Sequence, residues 1–166
     1  MIDELCPNVF FSSPYRTEVL ASPRALESLE NVSRSAHVVE LGPGVWGGLA
    51  RETLRSGASS YAGVDIDPRL PHFEHERARF HPRTDALSYL RDLPSDSISS
   101  VSTGFFDSLL LGSDRYLDEV TAQLSRVSRD GVHWIAPQDA VVFASFERHG
   151  IALEPIAAHL YRTQRI

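Results

Sequence analysis

Apolar positions along the chain follow two different periods, which alternate over most of its length. Short apolar runs predict strands over residues 36–41, 60–65, 79–81, 97–103, 132–136, 151–154 and 158–163. Apolar residues three or four positions apart predict helices over residues 23–34, 86–93, 113–128 and 138–149, and one from a glycine turn to Arg55. Too few residues separate the last two strands for a crossover helix, so the final strand should run antiparallel. The pattern predicts an α/β fold: a doubly wound, mainly parallel seven-stranded sheet with an antiparallel last strand and helices on both faces.

Local signals place the ends of several of these elements. Ser22 before Pro23 has the order of a helix N-cap followed by proline at the first helical position. Gly57 stands where a left-handed cap would end the helix that follows the glycine turn. Asp130-Gly131 is expected to turn the chain between the fourth long helical pattern and the next strand.

One stretch, HVVELGPGVWGG from His37 to Gly48, carries the clearest functional signal. An apolar run stops at a glycine-rich turn and continues into a helical pattern, as in a buried strand that leads to a ligand-binding helix N-terminus. Gly42 and Gly44 allow backbone angles that a Cβ would penalise, and they let a ligand lie against the main chain. A tight strand-to-helix turn can also need glycine when nothing binds there.

Acidic residues beside this turn restrict the kind of ligand. Asp65 ends the next strand, where a carboxylate can accept hydrogen bonds from both hydroxyls of a ribose. Glu40, directly before the turn, would repel a pyrophosphate. We therefore expect a ligand with a ribose and a positive charge.

Three motifs, ELGPG from Glu40, GVDID from Gly63 and TDA from Thr84, resemble the successive motifs of class I S-adenosylmethionine-dependent methyltransferases. The resemblance spans roughly residues 36–137 and implies a Rossmann-like fold with S-adenosylmethionine as the cofactor. The sequence departs from the family at Trp46, where a third small residue is usual.

The resemblance implies a role for each residue that matches a motif. Glu40 would lie near the methionine amino end, Gly42 and Gly44 beneath the methionine and ribose, and Asp65 at the ribose hydroxyls. The other cofactor-binding positions are Ile66, Asp85 facing the adenine amino group, Ala86 beside the ring, and Gly104 and Phe105 beside the methionine moiety. Asp85 could instead only cap the following helix, and Phe105 could be a core residue.

The sequence gives weaker signals for the residues that would bind the methyl acceptor. Asp107, just after strand four, is the best candidate for a general base by position. Tyr15 and Phe106 could stack on a substrate or attract the sulfonium through their π faces, although aromatic residues in loops are more often packing. The Asn-Pro-Pro-Tyr type of motif is absent after strand four, so a small-molecule acceptor is favoured over a nucleic-acid base.

Histidines give no metal site. His72 and His75 are three residues apart and could share a helix face, but no third ligand is evident, so a solvated polar face is favoured. His133 lies inside a predicted buried strand and is expected to be a core histidine.

Composition adds limits on partners and location. A chain of 166 residues matches one domain, and its net charge of −6 argues against binding to nucleic acid or to an anionic membrane. One cysteine, an acidic N-terminus and no apolar run near 20 residues lead us to expect a cytoplasmic protein.

The expected function is methyl transfer from S-adenosylmethionine to a small molecule. Two alternatives stay open: a catalytically silent cofactor-binding partner subunit, and an enzyme that uses the cofactor for other chemistry, such as cyclisation. Residues 1–35 are expected to form an N-terminal arm and helix that could cover the site of the cofactor-binding domain, residues 36–166. A second subunit of a homodimer could cover the same surface.

Overall fold

The computed structural model describes residues 20–69, 71, 73–106, 113–135 and 139–166, and for residues 104–106 it describes the backbone. Tyr15 and Asp107 therefore lie outside the described residues. Within them the strands are β1 His37–Leu41, β2 Ser60–Val64, β3 Ala78–His81, β4 Ile98–Phe106, β5 Ser128–Ile135, β6 Ile151–Ala157 and β7 Leu160–Arg165. The helices are α1 Pro23–Ser33, α2 Ala50–Arg55, α3 Ala86–Arg91, α4 Asp114–Val127 and α5 Ala140–Arg148.

The strands form one seven-stranded sheet in the order β3-β2-β1-β4-β5-β7-β6. Strands β1 to β5 pair in parallel, and β7 is antiparallel to both of its neighbours, β5 and β6. The chain builds outward from β1 to β3 and then returns to the other side of β1 with β4. Ligands of such sheets bind outside the carboxyl ends of the strands where the order reverses, here between β1 and β4. The predicted fold class is confirmed.

Side chains that alternate along the strands divide the core between two faces. Val38 packs in the cluster that includes α1 and α2, whereas its neighbour Val39 packs in the cluster that includes α3, α4 and α5. Helices therefore cover both faces, as predicted. Helix α1 begins as the sequence indicates, since Ser22 Oγ accepts a hydrogen bond from Ala25 N at 3.3 Å and Pro23 is the first helical residue.

The prediction of a turn at Asp130-Gly131 is wrong. Helix α4 ends at Val127, β5 begins at the next residue, and both predicted turn residues lie inside this strand. Ile98 pairs with Ser128 and Ser99 with Asp130, so Arg129 is the extra residue of a β-bulge. Gly131 is needed for close packing, because a Cβ there would fall 2.7 Å from His133 Nε2.

Strand β6 extends to Ala157, beyond the predicted end at residue 154, and the last strand starts at Leu160, two residues later than predicted. A two-residue turn, Ala158-His159, joins them into a hairpin, with His159 in the left-handed region at φ 60°. No helix among the described residues combines the length and apolarity that a membrane span requires.

Candidate functional site

Three of the predicted motifs meet at the carboxyl edge of the sheet. Gly42 N donates to Val64 O at 3.0 Å, and Gly44 N donates to Asp65 Oδ2 at 2.9 Å. The glycine turn is therefore hydrogen-bonded to the end of β2. Thr84 N in turn donates to Asp65 O at 2.9 Å. Asp65 thus lies between the loop after β1 and the loop after β3.

The glycine loop is longer than the sequence pattern predicts, because α2 begins only at Ala50. Gly47 N donates to Gly44 O at 3.2 Å and closes a turn that has Trp46 near its tip. Trp46 is 61% exposed. Gly44 has φ 62°, a left-handed conformation that glycine adopts without a steric penalty. The loop therefore presents main chain beside Asp65 and an exposed indole beyond it.

Glu40 is fully buried beneath this loop. Its Oε2 accepts hydrogen bonds from Leu49 N at 2.8 Å and Tyr61 OH at 2.6 Å, and its Oε1 accepts one from Thr103 Oγ1 at 2.5 Å. Burial raises the pKa of Glu40 from 4.5 to about 7; the three hydrogen bonds lower it, and the charge of Glu52 raises it further. Both oxygens contact protein groups, so Glu40 can act on a ligand through the loop that it holds.

Asp65 is half-buried at the tip of β2. Its Oδ2 accepts from Gly44 N and its Oδ1 accepts from Asp67 N, each at 2.9 Å. Burial raises the pKa of Asp65, the amide hydrogen bonds oppose that shift, and the charge of Asp67 adds to it. Ile66 follows with 72% exposure, an apolar side chain at the rim beside the predicted ribose position.

Asp85 caps helix α3. Its Oδ2 accepts from Ser88 N at 2.8 Å and from Ser88 Oγ at 2.9 Å, and its Oδ1 accepts from Tyr116 OH. Burial alone would raise the pKa of Asp85, but the hydrogen bonds from Tyr116 and Ser88 outweigh it and the pKa is lowered. Ala86 is buried in the core below. The capping alternative is therefore realised, and contact with adenine stays a prediction.

Strand β4 ends at the same edge of the sheet as β1 and β2. The predicted end of this strand at residue 103 is wrong, because Gly104, Phe105 and Phe106 belong to it and are not on a loop; the backbone of Phe106 pairs with Ile135. This places them on the same edge of the sheet as the glycine loop. The side chains of both phenylalanines, like Tyr15 and Asp107, lie outside the described part, so their roles stay predictions.

Sequence reasoning missed two residues of this region, Tyr61 and Thr103. The sequence pattern predicts only that both lie in strands, yet their hydroxyls meet at Glu40. A usable signal was present, because a tyrosine and a threonine inside buried strands require hydrogen-bond partners, and Glu40 lies on the strand between them.

His133 is a core histidine, as predicted. It is fully buried against the Phe146 ring, with 5.5 Å between ring centroids, and burial lowers its pKa to about 3. Within the described ranges, no group of three or more histidine, cysteine or acidic residues could hold a metal ion. His72 lies outside those ranges.

The charge around the site is acidic. Among the described residues, no ion pair involves Glu40 or Asp65. The nearby Arg69 binds Asp67 with its Nε 3.0 Å from Oδ1 and its Nη2 2.6 Å from Oδ2. Such a site disfavours phosphates and favours a cation.

Comparisons with known proteins support the fold. No family model and no curated protein matches the chain. Among solved structures, magnesium protoporphyrin IX methyltransferase from Synechocystis PCC 6803 with bound S-adenosylmethionine is similar with a TM-score of 0.64 and 14% identity, over 91% of this chain and 79% of that one. A protein described as an S-adenosylmethionine-dependent methyltransferase from Listeria monocytogenes gives a TM-score of 0.61 and 9% identity, over 84% and 97% of the two chains.

A third similar structure carries a different description. A protein described as a hemolysin from Streptococcus thermophilus gives a TM-score of 0.57 and 14% identity over 86% of this chain. This chain spans only 63% of that protein's length. At these identities the similarity concerns the fold, and most of the similar structures are methyltransferases. The chain therefore has the fold of the class I S-adenosylmethionine-dependent methyltransferases.

Proposed function

We propose that the protein is an S-adenosylmethionine-dependent methyltransferase that acts on a small-molecule acceptor. The observation that carries the proposal is the hydrogen bond of 2.9 Å between Gly44 N and Asp65 Oδ2. It joins the half-buried main chain at Gly44 to a carboxylate at the tip of the neighbouring strand β2, beside the point between β1 and β4 where the strand order reverses.

Asp65 has the free capacity that a ribose requires. Gly44 N donates to Oδ2 and Asp67 N donates to Oδ1, and the amide of Ile66 also lowers the pKa of this carboxyl. A carboxylate has about four acceptor positions, so Asp65 keeps capacity for a ribose hydroxyl. The two amide bonds fix the orientation of the carboxylate before a ligand arrives, which lowers the entropic cost of binding. Ile66 beside it offers an exposed apolar surface to the flat adenine ring.

The charges support a sulfonium in preference to a phosphate. Glu40 and Asp65 are acidic groups with no basic partner among the described residues, and the charge of Glu52 acts on Glu40. Ionised Glu40 would repel the phosphates of a dinucleotide and attract the cationic methionine end of S-adenosylmethionine, whereas Asp65 would bind the ribose.

The chain's own residues then supply position more than reactive groups. When bound, S-adenosylmethionine supplies an activated methyl group. The loop and Asp65 would hold the nucleoside end in one orientation, and this removes much of the entropic cost of bringing two reactants together. Asp107, placed after β4 by sequence, is our proposed general base for an acceptor that must lose a proton.

The net charge of the chain is the basis for proposing a small-molecule acceptor. A net charge of −6 opposes association with a polyanion, which supports a small molecule over a nucleic acid. The single cysteine fits our proposal that the protein works in the reducing cytoplasm.

Calorimetric titration with S-adenosylhomocysteine tests the cofactor part. We expect saturable binding that Asp65→Ala weakens at least about tenfold, the value of one good charged hydrogen bond. Asp96→Ala is the matched control, because Asp96 precedes β4 at the opposite edge of the sheet and pairs with Arg165. A 2′,3′-dideoxyribose analogue should be insensitive to Asp65→Ala if the lost contacts are to the ribose hydroxyls.

Turnover measurements separate the two alternatives. Methyl transfer to a member of a metabolite panel supports the proposal. Consumption of S-adenosylmethionine without any acceptor would indicate cyclisation or related chemistry. Binding without turnover across the panel would favour the silent partner subunit.

A further inference from the structure

The fully buried carboxylate of Glu40 joins three neighbouring strands to the glycine loop. Glu40 lies on β1, which is paired with β2 on one side and with β4 on the other. Its register partners are Gly63 and Val101, so Tyr61 and Thr103 lie two residues away on either side, on the same face of the sheet. Both hydroxyls reach Glu40, at 2.6 Å from Oε2 and 2.5 Å from Oε1.

The same carboxylate fixes the far end of the loop. Leu49 N, immediately before α2, donates to Glu40 Oε2 at 2.8 Å. Gly48 lies against the carboxylate so closely that a Cβ would fall 2.0 Å from Oε1. The near end is also within reach, because Thr103 Oγ1 is 3.4 Å from Gly42 O. Glu40 therefore holds the far end of the loop that carries Gly44, and Thr103, which is bonded to Glu40, contacts the near end.

We propose that Tyr61 and Thr103 are positioning residues for the glycine loop, which they hold through Glu40, and that the protonation of Glu40 changes this hold. The effect on a cofactor rests on the function proposed above, whereas the effect on the loop does not.

Hydrogen-bond capacity explains why protonation matters. Ionised Glu40 accepts from Leu49 N, Tyr61 OH and Thr103 Oγ1, which is the arrangement observed. A protonated carboxyl must donate from one oxygen. Thr103 can then accept from Glu40 and direct its own hydrogen to Gly42 O instead, since a hydroxyl has only one hydrogen to donate.

The surroundings make this exchange accessible near neutral pH. Burial raises the pKa of Glu40 to about 7. In the part of the chain that the structure describes, the titratable groups that face it are Tyr61 on β2 and Glu52 on α2, with Asp65 at the end of β2 acting on Tyr61. Tyr61 stays neutral because burial and the charge of Glu40 raise its pKa well above its usual value of 10.0. Glu40→Gln reproduces the donor pattern of the protonated carboxyl, since the amide NH₂ can donate to Thr103 while the amide oxygen accepts from Leu49 and Tyr61.

Hydrogen exchange of the Leu49 amide tests the hold on the loop without any ligand. We expect Tyr61→Phe and Thr103→Val each to lower protection of this amide about tenfold, and Thr103→Ser to restore it. Tyr161→Phe and Thr121→Val are matched controls: Thr121 bonds Ser145 within the helix layer, and Tyr161 packs against Phe143. Unchanged protection in both test variants would overturn the proposal.

Titration with S-adenosylhomocysteine between pH 6 and pH 8 provides the second readout. Wild-type affinity should rise several-fold as pH increases through about 7, the pKa of Glu40, and Glu40→Gln should remove this dependence. A pH dependence that persists in Glu40→Gln would overturn the protonation part. Absence of binding by the wild type at every pH would contradict the proposed function, while the exchange experiment would still decide the role of Tyr61 and Thr103.

Discussion

Gly48 lies in direct contact with the carboxylate of Glu40, where a Cβ would fall 2.0 Å from Oε1. The contact joins a residue of the loop to a buried acid of β1, and Gly48 also has φ 50°. The glycine is therefore required for space as well as for backbone conformation, and the loop cannot shift without disturbing the carboxylate.

Gly48→Ala should be strongly destabilising. The added methyl must displace Glu40 or the loop, and we expect a loss of about 3 kcal/mol or more from the free energy of unfolding. Gly57→Ala is the control: it shares a positive φ of 95° but has no atom within 4 Å of the added Cβ, so backbone strain of about 1 kcal/mol is expected. Urea denaturation measures both. Equal losses would mean that the Glu40 contact is not restrictive.

The stability of the protein should depend on pH through Glu40. Its pKa is about 7 in the folded protein against 4.5 ordinarily, so the folded state binds the proton more tightly. This contribution is fully present below pH 4.5 and is lost as pH rises through about 7. A shift of this size corresponds to about 3 kcal/mol.

Glu40→Gln isolates that contribution, because other titrating groups cancel when the variant is compared with the wild type. The variant's free energy of unfolding, relative to the wild type, should increase between pH 4.5 and about 7 and stay constant above that range. Denaturation at several pH values measures the difference. A difference that does not vary with pH would show that Glu40 is not perturbed.

Asp85→Asn separates helix capping from adenine recognition. Asparagine caps helices about as well as aspartate, so the free energy of unfolding should change by less than about 1 kcal/mol. If Asp85 accepts a hydrogen bond from the adenine amino group, the variant should discriminate less between adenosyl and inosyl ligands. Titrations with S-adenosylhomocysteine and its inosyl analogue measure this. Unchanged discrimination would leave Asp85 as a cap bonded to Ser88 and Tyr116.

Removal of residues 1–16 tests our proposal that the N-terminal arm covers the site. The truncated protein should keep its fold and part of its affinity for S-adenosylhomocysteine but lose turnover, because water would reach the transfer path. Circular dichroism, titration and a methyl-transfer assay check these outcomes. Unfolding of the truncated protein would indicate core residues in the arm, and full activity would place the cover elsewhere.

Much of the fold could be predicted because its determinants are local. Ser22 and Pro23 define the start of α1, and the glycine turn with Asp65 identifies the strand ends that meet at the site. The error at Asp130-Gly131 has a long-range cause. A sequence typical of a turn is held in β5 by pairing with β4, and Gly131 is selected by the closeness of His133 and Ser100.

The contacts of the site that the sequence does not predict also join residues far apart along the chain. Tyr61 and Thr103 lie 21 and 63 residues from Glu40 in the sequence, and only the strand order brings their hydroxyls to one carboxylate. Glu40 itself was assigned to the ligand from a motif. Its burial, and hence its contacts with protein donors at both oxygens, depends on the packing of Gly48 and Leu49 above it.

The most direct test of the account is a pair of calorimetric titrations of the full chain at pH 8, one with S-adenosylhomocysteine and one with NAD. Both ligands contain an adenosine whose ribose Asp65 could bind, but only NAD carries a pyrophosphate, which Glu40, ionised above its pKa of about 7, should repel. We predict saturable one-to-one binding of S-adenosylhomocysteine and no measurable binding of NAD. Preferential binding of NAD would contradict the assignment of the glycine loop and Asp65 to S-adenosylmethionine and its product.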